Sequence, residues 1–352
     1  MTATATPRAV VNPAWRPVQV PLPAGDEVMR FHAQLPGYRS TPLHDLGPLR
    51  VGSVQLKDES DRYGLPAFKI LGVSWAVEQI LARDPAAGTT LVAASAGNHG
   101  RAVARVAAGR GLPCRIYLPA MVGDTPAELI EAEGAQVVRV DGNYDDAIAA
   151  AEHATAQPGT LLIADTGTSA SASAVIDGYG TLFREAAAQA SAPFDLVIVP
   201  VGVGALAAAA VRFAAHHHPA GTVVGVEPVT AACVTASLAT GRPQTVPTPG
   251  TSMTGLNCGT PSAAAWPTLR DGLTGTITVT DTEAQQAMRD LAGYGLIIGM
   301  CGAAPLAALR ALLDDDGCRE LRAATRLSRS SQVLCLGTEG AGDARRSSSR
   351  GR

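Results

Sequence analysis

The sequence predicts a two-domain α/β protein with open, mostly parallel sheets and flanking helices. Three observations lead there. From Thr89 onward, short apolar stretches alternate with helix-like stretches at the spacing of βαβ units. The alternation resumes at FDLVIVPVGVG in the second half, after a long connection. Several apolar stretches also run directly into glycine-bearing turns that open helices.

The elements follow in chain order. The first forty or so residues are Pro-rich and weakly periodic, and read as an extended arm laid over the body. VGSVQLKDES has the alternation of a strand, and SWAVEQILARD that of an amphipathic helix. TTLVAASAG is a buried strand, NHGRAVARVAAGRG a helix ended by Gly111, and CRIYLP a strand. TPAELIEAEG is a helix with Thr125 as N-cap and Glu128 three residues on. AQVVRVDG, YDDAIAAAEHATAQ and TLLIADT read as strand, helix and strand. In the second half ALAAAAVRFAAHHH, TEAQQAMRDLAGYG and CGAAPLAALRALLDDD are helices; FDLVIVP, TVVGVEP, TGTITVTD and SQVLCLG are strands. The polar, low-complexity end AGDARRSSSRGR reads as disordered.

Composition narrows the function. The 352 residues suit one large domain or two moderate ones, and 46% hydrophobic against 17% charged residues supports a large core. A net charge of −3 gives no electrostatic footing for nucleic acid or an anionic membrane. No stretch is long and apolar enough to span a bilayer, and MTATATPRAVVNPAWRP lacks the apolar centre of a signal peptide, so a cytoplasmic protein is expected. The six cysteines form no CxxC pair, which argues against a disulfide framework or zinc knuckle and for small core residues. The triple histidine 216–218, followed by Pro219, reads as a polar helix end, and no metal site is expected.

Four places carry chemistry. GLPAFKILGVSWA sets Lys69 inside an apolar run. An ammonium buried there costs several kcal/mol unless paired or neutralised. Either the stem packs while the amine snorkels to water, or the lysine is a Schiff-base former whose desolvated amine is a ready nucleophile. PVGVGALAAA ends a strand, brings backbone close at Gly202 and Gly204, and opens a helix whose free N–H groups suit an anion. Its spacing is neither GxGxxG, since position 207 is Ala, nor a Walker loop; the fitting anion is a lone phosphate on a small cofactor, the alternative a plain βα turn. SAGNHG gathers amides, a Ser hydroxyl and the Asn98 side chain at a strand's carboxyl end, where open sheets bind ligands; the alternative is a capped helix start with His99 as a turn residue. GTEG places the Thr338 hydroxyl at another strand end, to meet a ring nitrogen or simply to turn the chain.

In this order, the four resemble the fold-type II pyridoxal-phosphate enzymes, the group of threonine dehydratase, tryptophan synthase β and cysteine synthase. Within it, the sequence is most similar to the diaminopropionate ammonia-lyases. FHAQLPGYRSTPL, VQLKDESDRYGLPAFKILGVSWA, SAGNHGRAVA, ADTGTSASASAVIDGYGTL, PVGVGALA, VEPVTAAC, MTGLNCGTPS and GTEG carry the resemblance through nearly the whole chain.

The resemblance implies that Lys69 carries pyridoxal 5′-phosphate as a Schiff base, with Phe68 and its apolar neighbours keeping the site dry. Asn98 would bond the cofactor's 3′ oxygen, and the amides of Gly202, Val203, Gly204 and Ala205 its phosphate. Thr338 would face the pyridine nitrogen. Ser95, Ala96, Gly97, His99 and Gly100 would line the substrate carboxylate, and Tyr179 the pocket. Cys258 would lie close by. The implied reaction is β-elimination: Lys69 removes the Cα proton, the β-amino group leaves beside Asp165, and hydrolysis yields pyruvate and ammonia. Residues 1–88 and 169–340 would form a large domain and 89–168 a small mobile one, with 341–352 as a tail, in a homodimer acting on a small amino acid.

Two departures from the ammonia-lyase pattern bear on substrate. Ala96 stands where those enzymes carry an Asp tied to the D-isomer. Gly299, Met300, Cys301 and Gly302 replace a GESG-like run. A β-replacement synthase making a non-protein amino acid, a threonine or serine dehydratase, and a binding protein without turnover remain as alternatives.

Overall fold

A computed structural model describes residues 6–16, 20–21, 23–83, 90–164, 166–167, 169–219 and 221–341. The chain opens with strand β1 (Ala9–Val11), helix α1 (Asp26–Gln34), strands β2 (Leu43–Asp45) and β3 (Ser53–Asp58), and helix α2 (Lys69–Arg83). Next come β4 (Thr90–Ala94), α3 (Asn98–Gly109), β5 (Cys114–Pro119), α4 (Asp124–Glu131), β6 (Gln136–Val140), α5 (Tyr144–Ala154) and β7 (Thr160–Leu162). Helix α6 (Ala170–Gln189) leads to β8 (Leu196–Pro200), α7 (Ala205–His217), β9 (Thr222–Pro228), α8 (Cys233–Thr240), α9 (Trp266–Gly272), β10 (Gly275–Val279) and α10 (Asp281–Gly293). Helices α11 (Met300–Asp314) and α12 (Arg319–Thr325) precede β11 (Gln332–Gly337).

Two sheets result. Seven strands run in the order β1-β10-β9-β8-β11-β3-β2, and four in the order β6-β5-β4-β7. All pairings are parallel except those of the edge strands β1 and β2. One face of the large sheet packs against α2, α6 and α7, and the other against α10 and α11. Both faces are covered, which is why its strands read as continuous apolar runs. The small sheet lies between α3 and α4 on one face and α5 on the other.

Helix α2 is the wall the two sheets share. Leu71 and Trp75 belong to the large core, while Ile70, Val73 and Val77 belong to the small one. A helix packed on both sides is apolar all round. The sequence pattern therefore showed only its outer half, SWAVEQILARD, although the helix begins five residues earlier at Lys69 itself.

Other expectations need correction. The N-terminal arm contains α1, which buries Val28 and His32 one turn apart; its nine residues are masked in sequence by Pro-rich flanks. The N-cap of α4 is Gly123, with no side-chain cap bond, and Thr125 lies inside the helix. Asp124 is the first helical residue, where its carboxylate complements the helix dipole and pairs with Arg139 at 3.1 Å. ADTGTSASASAVIDGYGTL carried no helical signal, yet it supplies most of α6, capped by Ser169. Capping boxes lie instead on α5, where Asn143 and Asp146 satisfy each other's backbone, and on α10, where Thr280 and Glu283 do the same. Five of the six cysteines are buried and none of the six is in a disulfide. Among the described residues no helix is long and apolar enough to cross a membrane. The end from 342 on lies outside the described residues.

Small residues let α6 approach α2. A Cβ on Gly178 would stand 2.5 Å from the Leu71 carbonyl oxygen and 2.7 Å from Gly72 Cα. These obstacles are backbone and cannot swing away. Gly178→Ala is therefore expected to cost about 2 kcal/mol in urea unfolding; an alanine accepted without cost would mean that the two helices part freely.

His32 ties α1 to the same seam. Its Nε2–H donates to Leu71 O at 3.0 Å, so neutral Nδ1 accepts from the Thr181 hydroxyl at 2.7 Å. Burial pushes the imidazole from 6.5 down to about 4, the Leu71 bond opposing and the Arg62 charge adding. Between these values the unfolded chain binds a proton that the folded chain refuses, so stability falls as pH drops through the window. Unfolding measured from about pH 7 to pH 4 should lose roughly 3 kcal/mol through this group. His32→Gln should flatten that slope, and an unchanged slope would assign the titration elsewhere.

Candidate active site

The loop before α2 is held by charges. Arg62 donates from Nε and Nη2 to Glu59 at 2.8 and 2.6 Å, and from Nη1 and Nη2 to Glu185 at 2.8 Å each. Lys57 pairs with Glu185 at 2.9 Å and donates to Thr41 O at 2.6 Å. The Thr41 hydroxyl donates to Glu59 at 2.7 Å, and the Tyr38 hydroxyl to Glu185 at 2.9 Å. All four ionic side chains are buried. Burial alone would raise the Glu185 carboxyl, but Arg62 and Lys57 hold it down at about 2. The loop then reverses through Tyr63 and Gly64, both at positive φ, and closes with a bridge between Arg62 and Leu65.

Lys69 follows as the first residue of α2 and is half-buried. Its Nζ lies 5.5 Å from the Phe68 ring centre and 5.9 Å from that of Tyr179. Tyr179 is wholly buried; its ring meets Phe68 edge-on at 4.8 Å and packs on Gly72, making a floor beneath the lysine. The amine thus stands at the head of a helix, over aromatic faces, where the helix dipole opposes further positive charge.

The glycine turn lies at the carboxyl end of β8. Gly204 takes φ +97° and caps α7 with no side-chain cap bond, leaving first-turn amides for another acceptor. A Cβ on Gly202 would stand 2.8 Å from Gly255 O and 3.1 Å from Cys258 Sγ. The Ser262 amide donates to Val203 O at 2.8 Å, and its buried Oγ has no hydrogen-bond partner among the described residues. A buried hydroxyl without a partner beside an uncapped helix start is a cradle for an anion.

The third and fourth places meet at one carboxylate. Asn98 opens α3, and its Nδ2 donates to Glu339 Oε2 at 3.0 Å. Glu339 Oε1 accepts from the Cys301 amide, in the first turn of α11, at 3.3 Å. Glu339 also bridges to Ala67 in antiparallel fashion, and Gly340 N donates to Pro66 O at 3.0 Å, so GTEG lies against the lysine's own loop. Buried Thr338 sits beside α11, where a Cβ on Gly302 would stand 2.8 Å from its amide nitrogen. Gly255 links this group to the glycine turn: a Cβ there would stand 3.3 Å from Cys301 Sγ and 3.9 Å from Glu339 Oε2.

Around Asn98, the Gly97 amide donates to the Ser95 hydroxyl at 3.3 Å, and Gly97, the N-cap, has no side-chain cap bond. Ala96 is half-buried and carries no acid. Gly100 lies against Ser95 O, leaving no space for a side chain. His99 is buried with Nε2 donating to Ile163 O at 2.8 Å, and so ties α3 to the segment after β7. Asp165 lies outside the described residues.

The four places thus converge at strand carboxyl ends. Sequence reasoning missed Glu339, Ser262 and Gly255, although all three stand inside quoted motifs: GTEG, GTPS and MTGL. A lysine, an amide side chain, an uncapped glycine turn and a late hydroxyl suit the aldehyde, 3′ oxygen, phosphate and ring nitrogen of pyridoxal phosphate.

Comparison with known proteins agrees. The family described as pyridoxal-phosphate dependent enzyme matches residues 34–338. The diaminopropionate ammonia-lyase of Salmonella typhimurium is 33% identical, over 90% of this chain and 89% of its own. The biosynthetic L-threonine dehydratase of Escherichia coli is 30% identical, over 76% of this chain and 52% of its own. The solved diaminopropionate ammonia lyase of Escherichia coli, in complex with an aminoacrylate-PLP azomethine reaction intermediate, superposes with a TM-score of 0.87 at 29% identity, covering 97% of this chain and 96% of that one. By sequence, fold and the donor set of its site, the chain belongs to the pyridoxal-phosphate dependent enzymes.

Proposed function

We propose that the protein eliminates the β-amino group of L-2,3-diaminopropionate, or a related β-substituted L-alanine, to give pyruvate and ammonia. The observation that carries this reading is the likeness, over nearly the full chain, to an enzyme solved with an aminoacrylate intermediate. When bound, pyridoxal phosphate supplies the electron sink that acidifies Cα of an amino acid.

The chain's own residues supply the rest. Lys69 Nζ is the point of attachment and, once displaced by substrate, the base that takes the Cα proton. Phe68 and Tyr179 keep that nitrogen over apolar surface and limit water. The amides of Gly202 to Ala205 hold the phosphate, and the partnerless Ser262 hydroxyl joins them as a further donor. Asn98 meets the 3′ oxygen, and Thr338 the ring nitrogen with a neutral hydroxyl. Ser95 and the amides from Gly97 to Gly100 take the substrate carboxylate, while His99 holds α3 in place. Asp165 attracts the β-ammonium and manages its proton as it leaves. The small unit carrying Asn98 closes over the substrate.

A second reading, β-replacement by an added nucleophile, draws on the start of α11. Met300 and Cys301 stand there in place of an acid and a serine. Burial, with Glu339 nearby, raises the Cys301 thiol well above its usual range and keeps it neutral.

Pyridoxal-loaded protein should release pyruvate from L-2,3-diaminopropionate, and Lys69→Ala should lower the rate by about a thousandfold or more. Absence of pyruvate at high enzyme concentration would sink the elimination reading and turn attention to β-replacement. The D-isomer should yield no pyruvate, because Ala96 offers no second base. D-isomer turnover by the unaltered protein would show that another group does that work, and Ala96→Asp is the variant expected to gain it.

A further inference from the structure

Glu339 accepts from Asn98 and joins the helix start of the small sheet's α3 to the helix start of the large sheet's α11. Its two oxygens have different partners. Oε1 accepts from the Cys301 amide, one of the first-turn N–H groups that α11 cannot satisfy internally; the N-cap Gly299 provides no side-chain cap. Oε2 accepts from Asn98 Nδ2. A carboxylate only accepts, so whatever faces it must be a donor. An asparagine amide by itself has no such restriction and presents its oxygen as readily as its nitrogen. Glu339 removes that freedom by compelling the nitrogen to face it. Nδ2 carries two hydrogens; Glu339 takes one and leaves the other.

We propose that Glu339 is a positioning residue for the cofactor: it locks the Asn98 amide with its nitrogen forward, so that the cofactor's 3′ oxygen always meets an N–H and never a carbonyl. The inference rests on the reading of Asn98 given above.

The test uses two variants whose effects should rank against intuition. In Glu339→Gln only one oxygen remains. The helix N–H of Cys301 and the positive end of the dipole claim it, so the Gln amino group faces Asn98 and turns the amide to the wrong side. Glu339→Ala removes the constraint without imposing the wrong choice. Cofactor affinity of the stripped protein, read by equilibrium dialysis together with the cofactor's visible band, should therefore fall about tenfold or more for Gln and less for Ala. In an Asn98→Ala background, Glu339→Gln should change affinity less than about twofold. A merely structural role predicts the opposite ranking, with isosteric Gln the milder; that ranking, unchanged affinity in both variants, or equal losses with and without Asn98, would overturn the proposal. If Asn98→Ala alone leaves affinity unchanged, the placement of Asn98 on the cofactor is what fails, and this inference falls with it. Thermal unfolding of each variant separates loss of affinity from loss of fold.

Discussion

The buried charge cluster of Lys57, Glu59, Arg62 and Glu185 is the constraint on which the site depends. Two cations and two carboxylates have left water together. Such a group adds little net stability compared with a well-packed apolar one, but removing any member leaves an uncompensated charge at a cost of several kcal/mol. Its value is positional. Arg62 grips Glu59 on its own loop and Glu185 on α6 at the same time. The loop that ends in Lys69 therefore has one place to lie. Glu185 is also on the helix whose Gly178 lies against the backbone of α2. The same helix thus anchors the loop and sets the path of the lysine's helix.

From that anchor the rest of the site follows. Helix α2 is shared by both cores, so Lys69 emerges at the boundary of the two sheets. The carboxyl ends of β4, β8 and β11 bring Asn98, the glycine turn and Thr338 to the same boundary. Backbone approaches make the convergence possible: Gly202 lies against Gly255, Gly302 against Thr338, and Gly299 against Gly340. Side chains at these points would meet backbone at under 3 Å and push the elements apart. The glycines in the quoted motifs are therefore spacing devices as much as anion binders.

Glu339 shows how a single acceptor serves two helix starts. The amides of α11 and the side chain at the head of α3 converge on it from opposite units. Cys301, in place of a serine, adds a buried neutral thiol where the related pattern has a hydroxyl.

Much was legible in the sequence because strand interiors buried on both faces must be apolar, and a chain turning sharply into an anion-binding helix needs glycine. FDLVIVPVGVG, TTLVAASAG and SQVLCLGTEG announced β8, β4 and β11 with their turns. Lys69 stood out because an amine in an apolar run demands an explanation, and Asn98 because it opens a helix after a strand. What periodicity missed had physical causes: α1 is short between prolines, α6 is rich in Ser and Gly for close packing, and the first turns of α2 are apolar on all sides. Glu339 and Ser262 were in view but mute, since an acid after a strand and a serine after a proline are ordinary surface residues until the fold gives the one its partners and buries the other. The sequence by itself determined most strands and their glycine turns, because these depend on local chemistry along the chain, and the cofactor class through the motifs that carry the family resemblance. Only the tertiary structure decided which acceptor holds Asn98 and which hydroxyl lacks a partner. Hydrogen-bond satisfaction is a property of neighbours in space, and here those neighbours lie more than two hundred residues apart in the Asn98–Glu339 pair.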